Sequence, residues 1–283
     1  MAQNQIQVDA IVGATDTFAL QQYAPIIANR MQSDLLLAQQ WALQNGYPAV
    51  QPTANGGMVK VWRPLRDDFY EYMGTDNAIS VRTVSTDAVR FGGSLNLDLT
   101  GAGYTVRIWD EGMVFNHQEY PGRAVIGGIG DMGTMVSDHA THVSGTLISS
   151  GNIVPASKGM APLGRVGFET IDFDIAEMIN GASAGLFLSN HSYSVRMGWR
   201  IVGNTWYWEG DVTVSPTEDY RFGFYDGPSR DFDFVAFHAP YHLIVKSAGN
   251  NRQDIGPPPG GFHLVQIGGQ LVGSNSIRNP DGP

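Results

Sequence analysis

Arg165-Val166-Gly167-Phe168-Glu169-Thr170, the helical stretch 173–184, and Leu186-Phe187-Leu188-Ser189-Asn190-His191-Ser192 decide the fold class. The first reads as a strand, the second as a helix and the third as the next strand. Strand and helix in close alternation is the sequence form of a parallel sheet covered by helices on both faces. The pattern extends in both directions. Upstream, Gly101-Ala102-Gly103 introduces Tyr104-Thr105-Val106-Arg107-Ile108-Trp109, a further strand that ends on Asp110. Downstream, residues 231–239 read as a helix closed by Pro240, and residues 241–248 as an apolar strand that ends at Gly249-Asn250. Between these lies the aromatic-rich stretch 199–220, which carries Gly203-Asn204 and reads as a hairpin-like excursion or a loop near the site.

Working groups in open α/β sheets collect at the carboxyl ends of the strands, which places Asp110 where chemistry is expected. The plain alternative is an Asp that starts a turn. Asp138-His139-Ala140-Thr141-His142-Val143-Ser144-Gly145-Thr146 follows, with His139 where a loop turns into a helix. Ser144, Gly145 and Thr146 are small enough to let that helix pack closely on a strand. Without a chemical role, the stretch is a capped helix with Asp138 favourable near its N-terminus. His139 and His142 also stand at i and i+3, where two imidazoles can share a face, but a lone H-x-x-H lacks the third ligand that zinc needs.

The N-terminal third has a different character. Apolar residues from Leu20 through Ala42 recur at helical spacing over residues 16–45, and Pro25 predicts a fresh helix that starts near it. Residues 58–62 follow the turn signal Asn55-Gly56-Gly57 and read as a strand, with 67–73 as its partner. This region, 1–78, holds no cluster of chemistry and reads as a small α+β subdomain or pro-region; 79–283 is the main domain. Residues 77–99 are polar and turn-rich, a connection laid over the surface.

Composition sets the outer bounds. The chain of 283 residues is long enough for a substantial core, and 42% hydrophobic with 16% charged residues is ordinary for a globular protein. A formal charge of −10 argues against nucleic acid or an anionic membrane as partner. With no cysteine, disulfides, thiolate chemistry and Cys-based metal sites are excluded. No apolar run is long enough to span a membrane, and Met1-Ala2-Gln3-Asn4-Gln5 lacks the pattern of a secretory signal.

A positioned base, a carboxylate to orient it and a carboxamide donor at Asn250 are parts of a serine hydrolase. Val106-Arg107-Ile108-Trp109-Asp110-Glu111-Gly112 resembles the catalytic aspartate motif of the subtilisin-like serine peptidases, the subtilases. Residues 138–146 are similar to that family's H-G-T-H-V-A-G-T signature, and Lys246-Ser247-Ala248-Gly249-Asn250 to its A-G-N oxyanion motif. Ser189-Asn190-His191-Ser192-Tyr193-Ser194 resembles the strand that lines the substrate cleft. Four motifs in the family's order cover roughly residues 79–283, and the nearest subgroup is that of secreted bacterial members with N-terminal extensions.

The resemblance implies a three-layer α/β fold and serine endopeptidase activity. It makes Asp110 the carboxylate, His139 the general base and acid, Asn250 the oxyanion donor and His142 a structural residue. Ser192, Tyr193 and Ser194 would bind a polypeptide substrate as an added strand. It implies an extracellular protein and no required cofactor. Structural calcium is common in the family, but no dense Asp-rich loop names ligands, and Asp131, Asp226, Asp231 and Asp233 read as solvated turn residues.

The sequence departs from the family at Ala140, where glycine is usual, and at Ser144, where alanine is usual. A larger departure concerns the nucleophile. The family's serine lies in G-T-S-x-A-x-P downstream of the oxyanion asparagine, and neither Ser274 nor Ser276 stands in that setting. The expectation is a fragment or half of a split protein, inactive alone and completed by its missing C-terminal part. The alternative is an inactive homologue that binds peptides or another chain. Gly181-Ala182-Ser183-Ala184-Gly185 spells G-x-S-x-G, but a nucleophile elbow needs strand before helix and the order here is reversed.

Overall fold

A computed structural model of the chain describes residues 5–46, 48–52, 58–66, 69–75, 85–127, 135–153, 157–202, 205–215 and 218–250. In chain order the first elements are α1 (Gln5–Ala14), α2 (Thr17–Gln44), β1 (Val50–Pro52), β2 (Met58–Arg66), β3 (Phe69–Thr75) and α3 (Thr86–Val89). Next come β4 (Thr105–Asp110), β5 (Ala124–Ile126), α4 (Asp138–Ile148), β6 (Arg165–Thr170), α5 (Asp174–Ser183) and β7 (Leu188–His191). The last are β8 (Tyr193–Val195), β9 (Trp199–Val202), β10 (Thr205–Trp208), α6 (Gly227–His238) and β11 (Leu243–Lys246). Two compact units are built from interleaved segments, the first from 1–28, 77–192 and 231–246, the second from 29–76, 193–230 and 247–283.

The first unit holds a five-stranded sheet of order β11-β7-β4-β6-β5 in which every pairing is parallel. This is the α/β architecture that the alternation of elements predicts. Ile108, Trp109 and Asp110 on the central strand β4 are fully buried, because helices cover both faces. On one face α4 sets Ala140, Val143 and Ile148 against Ile108, Val166 and Phe168. On the other, Glu177 of α5 accepts a hydrogen bond from Trp109 Nε1 at 2.9 Å. No helix of the described residues is long and apolar enough to cross a membrane.

Three local expectations change. Pro25 lies inside α2 and does not start a new helix. Proline removes the bond to the carbonyl four residues back, here that of Gln21; Gln21 and Pro25 are both exposed, so water can satisfy that oxygen. The helical spacing read from the sequence begins at residue 16; α1 precedes it and seats Val8 and Val12 on Gly185. A Cβ on Gly185 would lie 2.9 Å from Val8, and its φ of 90° also requires glycine. Asp231 is fully buried and accepts a 2.5 Å hydrogen bond from Tyr23 Oη, so it is no solvated turn residue.

In the second unit β1, β2, β3 and β8 form an antiparallel sheet in that order. Ala38, Trp41 and Ala42 of α2 bury Val61 and Tyr70, with Trp41 and Tyr70 stacked at 4.7 Å. From Trp199 the chain forms a hairpin-like pair, β9 antiparallel with β10; Gly203 and Asn204 lie outside the described set, as do Asp131, Ser274 and Ser276. Trp199 and Trp208 are buried against each other. Beside them Arg200 pairs with Glu209 at 2.5 Å, and Arg221 with Asp219 at 2.7 Å. Asp226, also expected as a solvated turn residue, is half-buried and accepts from Arg63 and from Ser229, contacts that carry its pKa below the usual value against the effect of burial.

Candidate active site

The site forms where β4 ends and α4 begins. Six residues of parallel pairing to β6 carry β4 to Asp110, whose carboxyl is removed from solvent. His139 is the second residue of α4, and its Nδ1 lies 2.9 and 3.0 Å from the two Asp110 carboxylate oxygens. A carboxylate only accepts, so Nδ1 carries the proton and the basic lone pair belongs to Nε2. The side chain of His139 is only 9% exposed. Burial pushes the Asp110 carboxyl above its ordinary pKa, opposed by hydrogen bonds from His139 and from the Glu111 amide.

The start of α4 is held by residues that the motif comparison does not single out. Ser137 is the N-cap: its Oγ accepts from the Ala140 amide at 3.0 Å and donates to Glu111 Oε1 at 2.7 Å. One hydroxyl therefore ties the helix that carries His139 to the residue after Asp110. A serine immediately before Asp138-His139 is the visible sequence signal, since serine is a preferred N-cap. Further support comes from Tyr120, whose Oη donates to the Thr141 carbonyl at 3.0 Å; burial pushes its own pKa up to about 12.

The close approach expected from Gly145 comes from elsewhere. A Cβ on Gly145 would meet only the Tyr120 ring, at 3.8 Å. A Cβ on Gly159 would lie 2.6 to 2.8 Å from backbone atoms of Ser149, Gly145 and Ile148. The following loop presses on the end of α4, while the helix packs on β4 and β6 as expected. That loop is gathered by Glu119, buried and accepting from Ser150 Oγ and from the Asn152 and Ile153 amides at 2.8 to 3.0 Å.

The other expected site residues are placed as follows. Asn250 is exposed on a bend after β11 and belongs to the second unit. Ser192 follows β7 and accepts from Asn190 Nδ2 at 2.8 Å. Tyr193 and Ser194 lie on β8, opposite Thr75 and Gly74 of β3. One edge of that strand is thus already paired, and β8 ends the sheet order β1-β2-β3-β8. His142 is exposed on α4. Ser183 lies in the last turn of α5 and donates to the Ile179 carbonyl at 2.9 Å, with the strand β7 after it; this is helix before strand, the reverse of a nucleophile elbow. Among the described residues no group of three or more His, Asp or Glu is placed to hold a metal ion.

Fold and site together define an α/β protein with a buried carboxylate–imidazole pair at the carboxyl end of its central strand. No protein-family model, curated protein or solved structure matches the chain.

Proposed function

We propose that the chain carries the Asp110–His139 pair of a subtilisin-like serine endopeptidase, with a fold of that three-layer type. The observation that supports this is the two-oxygen contact of Asp110 with His139 Nδ1 at the end of a central parallel strand. In this reading His139 Nε2 takes the proton of a serine hydroxyl as its oxygen adds to the peptide carbonyl. Asn250 donates to the resulting oxyanion. The imidazolium, stabilised by Asp110, then protonates the leaving amine, and water repeats the sequence on the acyl-enzyme. The substrate is an extended polypeptide that adds as a strand at Ser192, Tyr193 and Ser194. The nucleophile comes from outside these residues, since no serine here stands in a G-T-S-x-A-x-P setting.

The test is to read the gene past Pro283, express the longer product and treat it with a fluorophosphonate probe. The reading expects a downstream G-T-S-x-A-x-P serine that is labelled, while the 283-residue chain is not. In the longer product His139→Ala abolishes turnover. Asn250→Ala costs about 10²–10³ in kcat, the size of effect seen on removing one oxyanion donor in a subtilisin. Labelling of Ser183, or a stop codon after Pro283 with peptide binding and no hydrolysis, overturns it; the latter outcome is that of an inactive, peptide-binding homologue.

A further inference from the structure

The two faces of the parallel sheet differ in kind. The face against α4 is apolar around Ile108, Val166 and Phe168. The opposite face sets Arg107 and Trp109 of β4 beside Gly167 and Glu169 of β6, Ser189 and His191 of β7, and Ile244 and Lys246 of β11. A sheet buried on both faces ordinarily carries apolar side chains on each. Here Glu169, Ser189 and His191 are all within 1% of full burial, and His242, which precedes β11, is 6% exposed.

Two imidazoles converge on one hydroxyl. His191 Nε2 lies 3.1 Å and His242 Nε2 2.9 Å from Ser189 Oγ. The His191 ring is stacked parallel on Trp109 at 5.0 Å and meets Phe232 of α6 edge-on at 5.4 Å. Ser189 has a single proton to donate, so at most one of the two rings can accept from it. His242 Nδ1 is buried with no hydrogen-bond partner, and a proton there would be an unpaired buried N–H. The neutral arrangement is therefore His242 Nε2–H donating to Ser189 Oγ, which leaves the Ser189 proton free to go to His191 Nε2.

We propose that Ser189, His191 and His242 form an acid-sensitive latch, which holds β7 and the entry to β11 together while both rings are neutral and releases them on protonation. Release takes apart the sheet that positions Asp110. Adding a proton to His191 Nε2 makes that ring a second donor to Ser189 Oγ, so the Ser189 hydroxyl either turns to His242 Nε2, with the His242 proton moved to the unpaired Nδ1, or turns to the Met178 thioether at 4.0 Å. A second proton sets two imidazolium donors against one oxygen, and leaves the Ser189 proton only the Met178 thioether at 4.0 Å.

The surrounding charges favour neutrality. Lys246 on β11 and Arg107 on β4 are cations; Glu169 pairs with Arg107 at 3.0 Å, and Glu177 of α5 accepts from Trp109. On α6, Phe232 faces His191, and the neighbouring Asp231 accepts from Tyr23. Burial, then Lys246 and His242, hold His191 well below the usual imidazole value. Burial, then Arg107, bring His242 to about 4. Both folded-state values are depressed, so the unfolded chain binds more protons below pH about 6.5, and stability falls with pH from there to about 4. Each histidine kept neutral changes the folding equilibrium about tenfold per pH unit in that window.

The experiment is denaturant unfolding of the 283-residue chain between pH 7.5 and 4.5, alongside His191→Gln and His242→Gln. Other titrating groups are common to all three proteins. Each substitution is expected to flatten the pH dependence of the folding constant by about tenfold per unit between pH 6.5 and 5. Superimposable slopes overturn the latch. Should a variant not fold, histidine side-chain ¹H–¹⁵N spectra of the parent decide the matter. Two neutral rings at pH 5.5, with His242 as the Nε2–H tautomer, are expected; an imidazolium at either residue in the folded chain overturns it.

Discussion

At the residue scale the centre of the protein is the contact between Asp110 and His139. Neither group would occupy its place alone: an isolated carboxylate without solvent is costly, and a histidine at the second position of a helix has no fixed ring orientation. Together they resolve both problems, since Nδ1–H compensates the carboxylate and the carboxylate fixes the tautomer. The bonded proton should give a far-downfield, slowly exchanging imidazole signal in the proton NMR spectrum of the chain. Asp110→Ala is expected to remove that signal while the α4 amides keep their dispersion. Survival of the resonance in the variant would show that another group holds Nδ1–H.

At the element scale α4 matters because its first turn sets the position of His139. Ser137 fastens the start, and Gly159 presses on the end from the next loop. Gly159→Ala puts a methyl within 2.6 to 2.8 Å of three backbone atoms, which cannot yield as a side chain would. Overpacking of this kind costs about 1–3 kcal/mol and should appear as a lower denaturant midpoint with unchanged m-value. Gly145→Ala serves as the control: with the nearest atom at 3.8 Å it should be neutral or slightly stabilising through helix propensity.

At the scale of the whole molecule, distant segments are tied by buried polar contacts. Tyr23 of α2 donates to Asp231 of α6 at 2.5 Å. Tyr23→Phe keeps the ring contact with Phe234 at 4.2 Å but removes a donor from a fully buried carboxylate. The expected loss is about 1–3 kcal/mol, read as a lower denaturant midpoint at pH 7. A shift below about 0.5 kcal/mol would mean that Tyr23 contributes packing alone.

Much of this arrangement was legible in the sequence, and what was not has a physical reason. The parallel sheet followed from the strand–helix alternation after residue 165, because a strand reaches a parallel neighbour only through a crossover, here a helix. Asp110 and His139 were legible as a pair from residue type and position, at a strand end and a helix start. Ser183 was set aside from local order alone. The continuity of α2 through Pro25 was not legible, since it depends on which side of the helix meets water. Nor was α1, whose faint apolar pattern gains meaning only against Gly185. The burial of Asp231 needed Tyr23, far away in the chain. The Ser189–His191–His242 cluster shows the same limit: the sequence placed Ser189 and His191 on one strand, but only the pairing of β7 with β11 brought His242, just before β11, to the same hydroxyl. Local periodicity and chemistry are written in neighbouring residues; the partners of buried polar groups are decided by tertiary packing, because only there is water removed and each donor and acceptor forced to find its counterpart.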